Sequence, residues 1–380
     1  MAIKHPGTPT QLAKSLVSID MARAFAAFGV FAYHQHIGLV LAKHSGIEWF
    51  NAIDAFGALY AVPLFFLISG YCIHLSNIKF VKTGSQLPLK EYFKRRFLRI
   101  YPPYLFAVLL SILISTSIYS DVIISKTDFM IHLFAVQGFT LNYFNGINLV
   151  LWTITIEIAF YILYPIFYYL RARFSLNKAM MVTFMVSAIS IAYFSAGGNI
   201  ELYQRYFVTN LWFAWCCGAY LADKKNLASD DLKKPVYLVL YGIILLTFAL
   251  LEIFDRPNLE IVVYQLKILI WTAPLVYLIK CEAWLSQKRS ALLTIVANIG
   301  LSSYSLYLLH LPLIELKNYC AKEFLPANIQ FIGVTVGFFI IPVICFFSYK
   351  YIEKPFMVRK SSTPTTTYPM ATNQDSQVPM

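Results

Sequence analysis

About ten apolar runs, each near the roughly 20 residues that a helix needs to cross a bilayer, leave this chain few other folds. They fall at approximately 17–41, 53–76, 98–118, 147–171, 178–196, 206–222, 235–254, 260–280, 298–316 and 328–352. The runs at 178–196 and 206–222 are the shortest. The segment 128–145 is semi-apolar and suits an interfacial or re-entrant piece. The expected fold is an all-α integral membrane protein with about ten transmembrane helices. Composition agrees: 58% of residues are hydrophobic, 13% are charged and the mean hydropathy is +0.61. An ordinary soluble domain is excluded on those values.

The formal net charge is +12. In a soluble chain that would suggest nucleic acid. Here the basic residues lie between the apolar runs, so orientation in a bilayer accounts for them and no nucleic-acid partner is expected. With the N-terminus inside, alternate loops are rich in Lys and Arg, among them Lys94, Arg95, Arg96 and Arg99, then Arg171 and Arg173, then Lys350 and Lys354. The intervening loops hold only Lys43, Lys126, Arg205, Arg256, Lys317 and Lys322. Both termini are therefore expected to be cytoplasmic. Residues 1–16 read as a cytoplasmic N-terminal segment, 17–356 as one multi-pass membrane domain and 361–380, rich in Ser, Thr, Pro and Gln, as a disordered cytoplasmic tail. The first span lacks a small-residue cleavage site and reads as a retained anchor. The six cysteines have neither zinc nor disulfide-framework spacing.

Ionisable residues inside the runs carry the functional signal. Each costs roughly 2.5–3.5 kcal/mol at the bilayer centre on insertion scales, so it needs a partner or a task. Asp20 and Arg23 are three apart and can pair on one helical face. His34 follows Arg23 by eleven positions, about three turns and roughly 16 Å of rise on the same face. Arg96 and Arg99 share a face at the start of the third run, and arginine forks suit phosphate oxygens. A lipid head group or a positive-inside anchor would use them equally well. Glu157 lies about ten residues into the fourth run and His310 about six residues from the outer end of the ninth. Depth counting thus predicts one layer with His34, Glu157 and His310, and another with Asp20, Arg23, Arg96 and Arg99. The first suits general-base chemistry, with a carboxylate orienting an imidazole; the second suits a phosphorylated donor. Ser69 has no Gly-x-Ser-x-Gly context and reads as a small residue for close helix packing. No metal site is expected, because the histidines lack an i, i+4 pair around a carboxylate.

Five stretches together resemble the acyltransferase-3 family of membrane acyltransferases. They are Ile19-Asp20-Met-Ala-Arg23 with His34; Phe65-Phe66-Leu-Ile-Ser69-Gly70-Tyr71; Arg95-Arg96-Phe-Leu-Arg99-Ile-Tyr101-Pro102; Trp152-Thr-Ile-Thr-Ile-Glu157 continuing to Tyr164-Pro165; and Ser303-Tyr304-Ser305-Leu-Tyr307-Leu-Leu-His310. The resemblance covers about residues 15 to 356. It implies an enzyme of the cell inner (plasma) membrane that moves an acetyl or similar acyl group from cytoplasmic acyl-CoA to a hydroxyl of a carbohydrate, such as a lipid-linked glycan, lipopolysaccharide or exopolysaccharide. Acetyl-CoA would be a donor substrate, not a bound cofactor. The resemblance maps acyl-CoA binding onto Arg23, Arg96 and Arg99. Joined with the depth reading, it makes His34, Glu157 and His310 the catalytic candidates and Asp20, Ser69, Tyr101 and Trp152 their support. Departures are Ile158, where a second acidic residue is usual, Met21 in place of Gly, and Tyr33-His34-Gln35 in place of Phe-His-Ser. No fused hydrolase-like domain, which some members carry, is expected.

The alternative from another class is a transporter or flippase, because intramembrane His, Glu and Arg also build proton relays and Pro63 could break a span. No two-fold repeat of broken spans supports it. A membrane sensor is a third reading.

Overall fold

A computed structural model describes residues 16–119, 121–197, 200–224, 235–254, 259–288, 290–326 and 329–357. The expected tail at 361–380, and all but Leu16 of the expected N-terminal segment, lie outside the described residues. Among the described residues there are helices and turns and no strand. In chain order the helices are α1 (Val17–His34), α2 (Ile37–Ser45), α3 (Asn51–Leu59), α4 (Ala61–Lys82), α5 (Leu89–Ile118), α6 (Lys126–Leu133), α7 (Trp152–Arg173) and α8 (Leu176–Ser195). Then come α9 (Leu202–Arg205), α10 (Val208–Asp223), α11 (Pro235–Ile253), α12 (Glu260–Leu269), α13 (Thr272–Lys280), α14 (Glu282–Gln287), α15 (Ala291–Leu301), α16 (Ser303–Phe324) and α17 (Gln330–Ser348).

Seven of these stretches are long and apolar enough to cross a bilayer, with α12 and α13 running together as one. Two bent pairs, α1 with α2 at 66° and α15 with α16 at 72°, would bring the number to nine. Among the described residues the count of ten from the sequence is therefore not reached. The difference is the run at 206–222, which forms α10 with 16 residues. At 1.5 Å per residue that helix is about 24 Å long, short of a hydrocarbon core of roughly 30 Å. It is nevertheless the most enclosed part of the bundle, with Leu211, Ala214, Trp215, Cys216 and Ala219 fully buried.

Small residues set the closest approaches. A Cβ on Gly70 of α4 would meet the Trp215 carbonyl oxygen at 2.0 Å, and one on Gly218 of α10 would meet the Leu67 carbonyl oxygen at 2.1 Å. The two helices are thus held backbone to backbone by a glycine from each. On α1 the run Ala22, Ala24, Ala26, Ala27 and Gly29 is buried. It lets α3 and α15 press close, to the point where a Cβ on Gly300 would meet the Asp20 carbonyl oxygen at 1.9 Å.

Two carboxylates borrowed from elsewhere cap the bent pair formed by α1 and α2. Glu282 accepts from the amides of Val17 at 3.1 Å and Ser18 at 2.8 Å. Asp54 accepts from Gly38 at 2.9 Å and Leu39 at 3.0 Å. Each satisfies amides that a helix start leaves without partners and places negative charge at the positive end of the dipole. Between the two helices His36 adopts a left-handed conformation, φ 53°. That turn ends α1 just after His34.

Candidate active site

A central pocket of about 120 Å³ lies between α1, α4, α5, α7 and α16. Arg23, Arg96, Arg99, Cys72, Glu157 and Tyr304 are part of its wall. The three arginines that the sequence placed in one layer therefore do meet. Arg23 comes from α1, where it faces Asp20 at 3.5 Å and donates to the Cys72 sulfur at 3.2 Å. Arg96 donates to the Ser76 hydroxyl at 2.5 Å and lies over the rings of Tyr92 and Tyr161, 5.8 and 5.7 Å from their centroids. Aromatic faces hold a guanidinium in place while leaving its edge donors for a ligand.

Glu157 is in this pocket too, not in a separate layer with the histidines. Its carboxylate accepts from the Ser69 hydroxyl at 2.6 Å, and Ser69 in turn accepts from the Trp215 indole at 3.1 Å. Arg99 and Arg96 are near enough to act on its charge. Counting residues from the end of a run locates a backbone, whereas arginine side chains extend well along the helix axis to find a counter-charge. Ser69 likewise does more than permit close packing. That role falls to its neighbour Gly70, and the Ser69 hydroxyl orients the carboxylate.

His34 and His310 come together at the far side of Tyr307. Their ring centroids are 5.1 Å apart. His310 is fully buried, and its Nδ1 donates to the carbonyl oxygen of Tyr307 at 2.7 Å, with that of Leu306 at 3.1 Å. A carbonyl can only accept, so Nδ1 carries the proton and Nε2 presents a lone pair. That Nε2 is buried and has no hydrogen-bond partner. Tyr307 joins the two groups: it lines the central pocket, its hydroxyl accepts from Thr153 at 3.0 Å, and its ring lies 6.0 Å from His310.

The remaining candidates are framework. The Tyr101 hydroxyl donates to the Leu133 carbonyl at 2.8 Å, tying α5 to α6. Trp152, at the start of α7, stacks between Phe144 at 5.2 Å and Tyr206 at 4.3 Å.

Two acidic residues escaped the reading of the sequence. Glu353 is 1% exposed and accepts from Ser305 at 2.8 Å, with Arg99 and Arg23 near enough to act on its charge. It sits one residue past the last apolar run, where a Glu before Lys354-Pro355 looks like loop; the available signal was its place directly after a long apolar stretch. Asp223 ends α10 and binds Arg171 at 2.8 Å and His74 at 3.0 Å, with Tyr164 on the other ring nitrogen at 3.2 Å. The network joins three helices, α4, α7 and α10, so spacing along the chain gave no sign of it.

Comparison with known proteins follows the same outline. Residues 16–347 match the acyltransferase domain of the acyltransferase-3 family. The chain is similar to O-acetyltransferase OatA of Staphylococcus aureus (strain NCTC 8325 / PS 47), 26% identical over 364 residues that cover 90% of this chain and 57% of the relative. It is also similar to YrhL of Bacillus subtilis (strain 168), provisionally named a peptidoglycan O-acetyltransferase. That match is 24% identical over 372 residues, covering 91% of this chain and 55% of the relative. The chain thus spans just over half the length of the curated relatives it matches. No solved structure matches it. With most of its residues inside that domain, the chain belongs to the acyltransferase-3 family.

Proposed function

We propose that the chain is a membrane O-acetyltransferase that moves an acetyl group from cytoplasmic acetyl-CoA to a hydroxyl of a cell-envelope glycan. Family membership supports acyl transfer, and the names of the relatives support acetyl as the group and peptidoglycan among the acceptors. The observation that carries the reading is the convergence of Arg23, Arg96 and Arg99 on one pocket that Tyr307 also lines, with Tyr307 in turn beside the His34–His310 pair.

In this reading the arginines hold the phosphates of the donor, each fork offering paired N–H groups to phosphate oxygens. Glu157 offsets part of their charge and is kept in position by Ser69. The pantetheine arm runs from the arginines toward the histidines, over the roughly 16 Å of helix between Arg23 and His34. His310 Nε2 takes the proton of the acceptor hydroxyl, with His34 beside it. The oxygen attacks the thioester carbonyl, the carbon–sulfur bond breaks, and the departing sulfur collects a proton to leave as the thiol.

The two bent helix pairs favour a second reading as a transporter, since discontinuous helices build substrate sites in that class. Vesicles of known sidedness separate the two. Radiolabelled acetyl-CoA supplied to the cytoplasmic face should label glycan with the wild type and far less with His310→Ala, which lacks the base. Protein-dependent movement of a labelled glycan precursor without any acetyl transfer would replace the enzyme with the transporter.

A further inference from the structure

We propose that a second cavity, lined by α3, α9, α11 and α12, is a subsite for one uncharged sugar ring of the acceptor; this rests on the O-acetyltransferase reading. The cavity holds about 220 Å³. Ligand pockets for drug-sized molecules run from roughly 300 to 1,000 Å³, so this one suits a single ring and not a chain.

Its position fits an acceptor. Leu59 lines it and lies two residues before the start of α4, whereas the Arg96 anchor Ser76 lies fifteen residues after that start. The cavity and the Ser76 contact of Arg96 are thus separated by roughly 22 Å of helix. Donor and acceptor would approach from opposite ends of the bundle. Tyr206 lines the cavity and stacks on Trp152, whose neighbour Thr153 lines the central pocket. The two spaces are therefore joined through the start of α7.

Its chemistry specifies the ligand class. Two ion pairs face the cavity, Arg205 with Glu260 and Lys267 with Glu252, the latter at 3.0 Å. Among the described residues of the lining, two cations and two anions cancel, so these walls offer donors and acceptors without favouring either sign of ligand charge. Arg205 lines the cavity with its side chain 27% exposed, so its guanidinium can offer N–H groups to a hydroxyl or amide oxygen. Tyr206 and Tyr264 meet edge to face at 4.7 Å and give the same cavity an apolar side. An uncharged molecule with hydroxyls around its rim and an apolar ring face matches all three properties.

The test uses the whole protein in nanodiscs and measures binding of three probes: the methyl glycoside of N-acetylglucosamine, glucuronate and glucosamine. The neutral glycoside should bind about tenfold more tightly than either charged sugar. Glu252→Gln leaves the cavity with excess positive charge and should move the preference toward glucuronate; Lys267→Gln should move it toward glucosamine. Glu252 has a side chain 43% exposed, so its variant is the safer one for folding. An unchanged thermal unfolding midpoint reports an intact fold, and acetyl-CoA binding is measured in parallel. Equal binding of the three sugars, or unchanged preference in both variants with the unfolding midpoint retained, overturns the subsite. Charge-dependent sugar preference in a protein that binds no acetyl-CoA keeps the subsite and removes the acetyl-CoA reading instead.

Discussion

The rings of His34 and His310 lie 5.1 Å apart, one at the last residue of α1 and the other in the interior of α16. The pairing depends on two backbone features. The left-handed turn at His36 stops α1 after His34, and the Tyr307 carbonyl fixes the tautomer of His310. General-base groups contribute typically 10²–10⁴-fold to a rate. His310→Ala is expected to reduce acetyl transfer by about that range while acetyl-CoA still binds. A variant with near wild-type turnover in a purified assay would remove His310 from the mechanism.

The arginine pocket makes a different prediction. Hydrogen bonds to charged groups contribute about 1.5–3 kcal/mol, so losing one weakens binding by about ten- to a hundredfold. Arg96→Ala and Arg99→Ala should each raise the KM for acetyl-CoA by that order. The KM for the acceptor should stay put. Initial-rate kinetics with both substrates varied will tell whether the loss falls on the donor.

Ser69 and Glu157 can be separated by paired substitutions. Ser69→Ala leaves the carboxylate without its 2.6 Å donor, and Glu157→Gln keeps the shape while removing the charge. If Ser69 acts by orienting Glu157, the double variant should be no worse than Glu157→Gln alone. Additive losses in kcat/KM would show that Ser69 acts separately.

Glu282 caps α1 from a distant part of the chain, so its effect should appear in stability. Glu282→Ala leaves the Val17 and Ser18 amides without their acceptor and removes a favourable dipole interaction. The expected cost is about 1 kcal/mol, read from the thermal unfolding midpoint of the detergent-solubilised protein.

Gly70 tests the packing of α4 on α10. Gly70→Ala puts a methyl group 2.0 Å from the Trp215 carbonyl oxygen, and overpacking of this kind costs about 1–3 kcal/mol. Gly242→Ala, on the exposed α11 with nothing within 4 Å of the added atom, should be tolerated. Equal thermal stability of both variants would mean that α4 and α10 can separate freely.

The sequence by itself determined the helical class, nearly all of the membrane-length helices, and which ionisable residues stand out inside them. It could do so because each signal is local. A run of apolar residues commits a segment to helix in a bilayer, since every backbone polar group must be satisfied within it. A buried charge stands out against that background, as Arg23, Glu157 and His310 do. Which charges meet is not a local property. Only the tertiary structure put Glu157 with the arginines, drew His34 to His310, and brought Glu353 into the centre from beyond the last apolar run. Those pairings follow from how helices tilt and cross and from how far side chains reach, and close packing at residues such as Gly70 and Gly218 decides that. The bend that ends α1 at His34 was also hidden, because the apolar run from 17 to 41 continues unbroken through it while the backbone turns at His36.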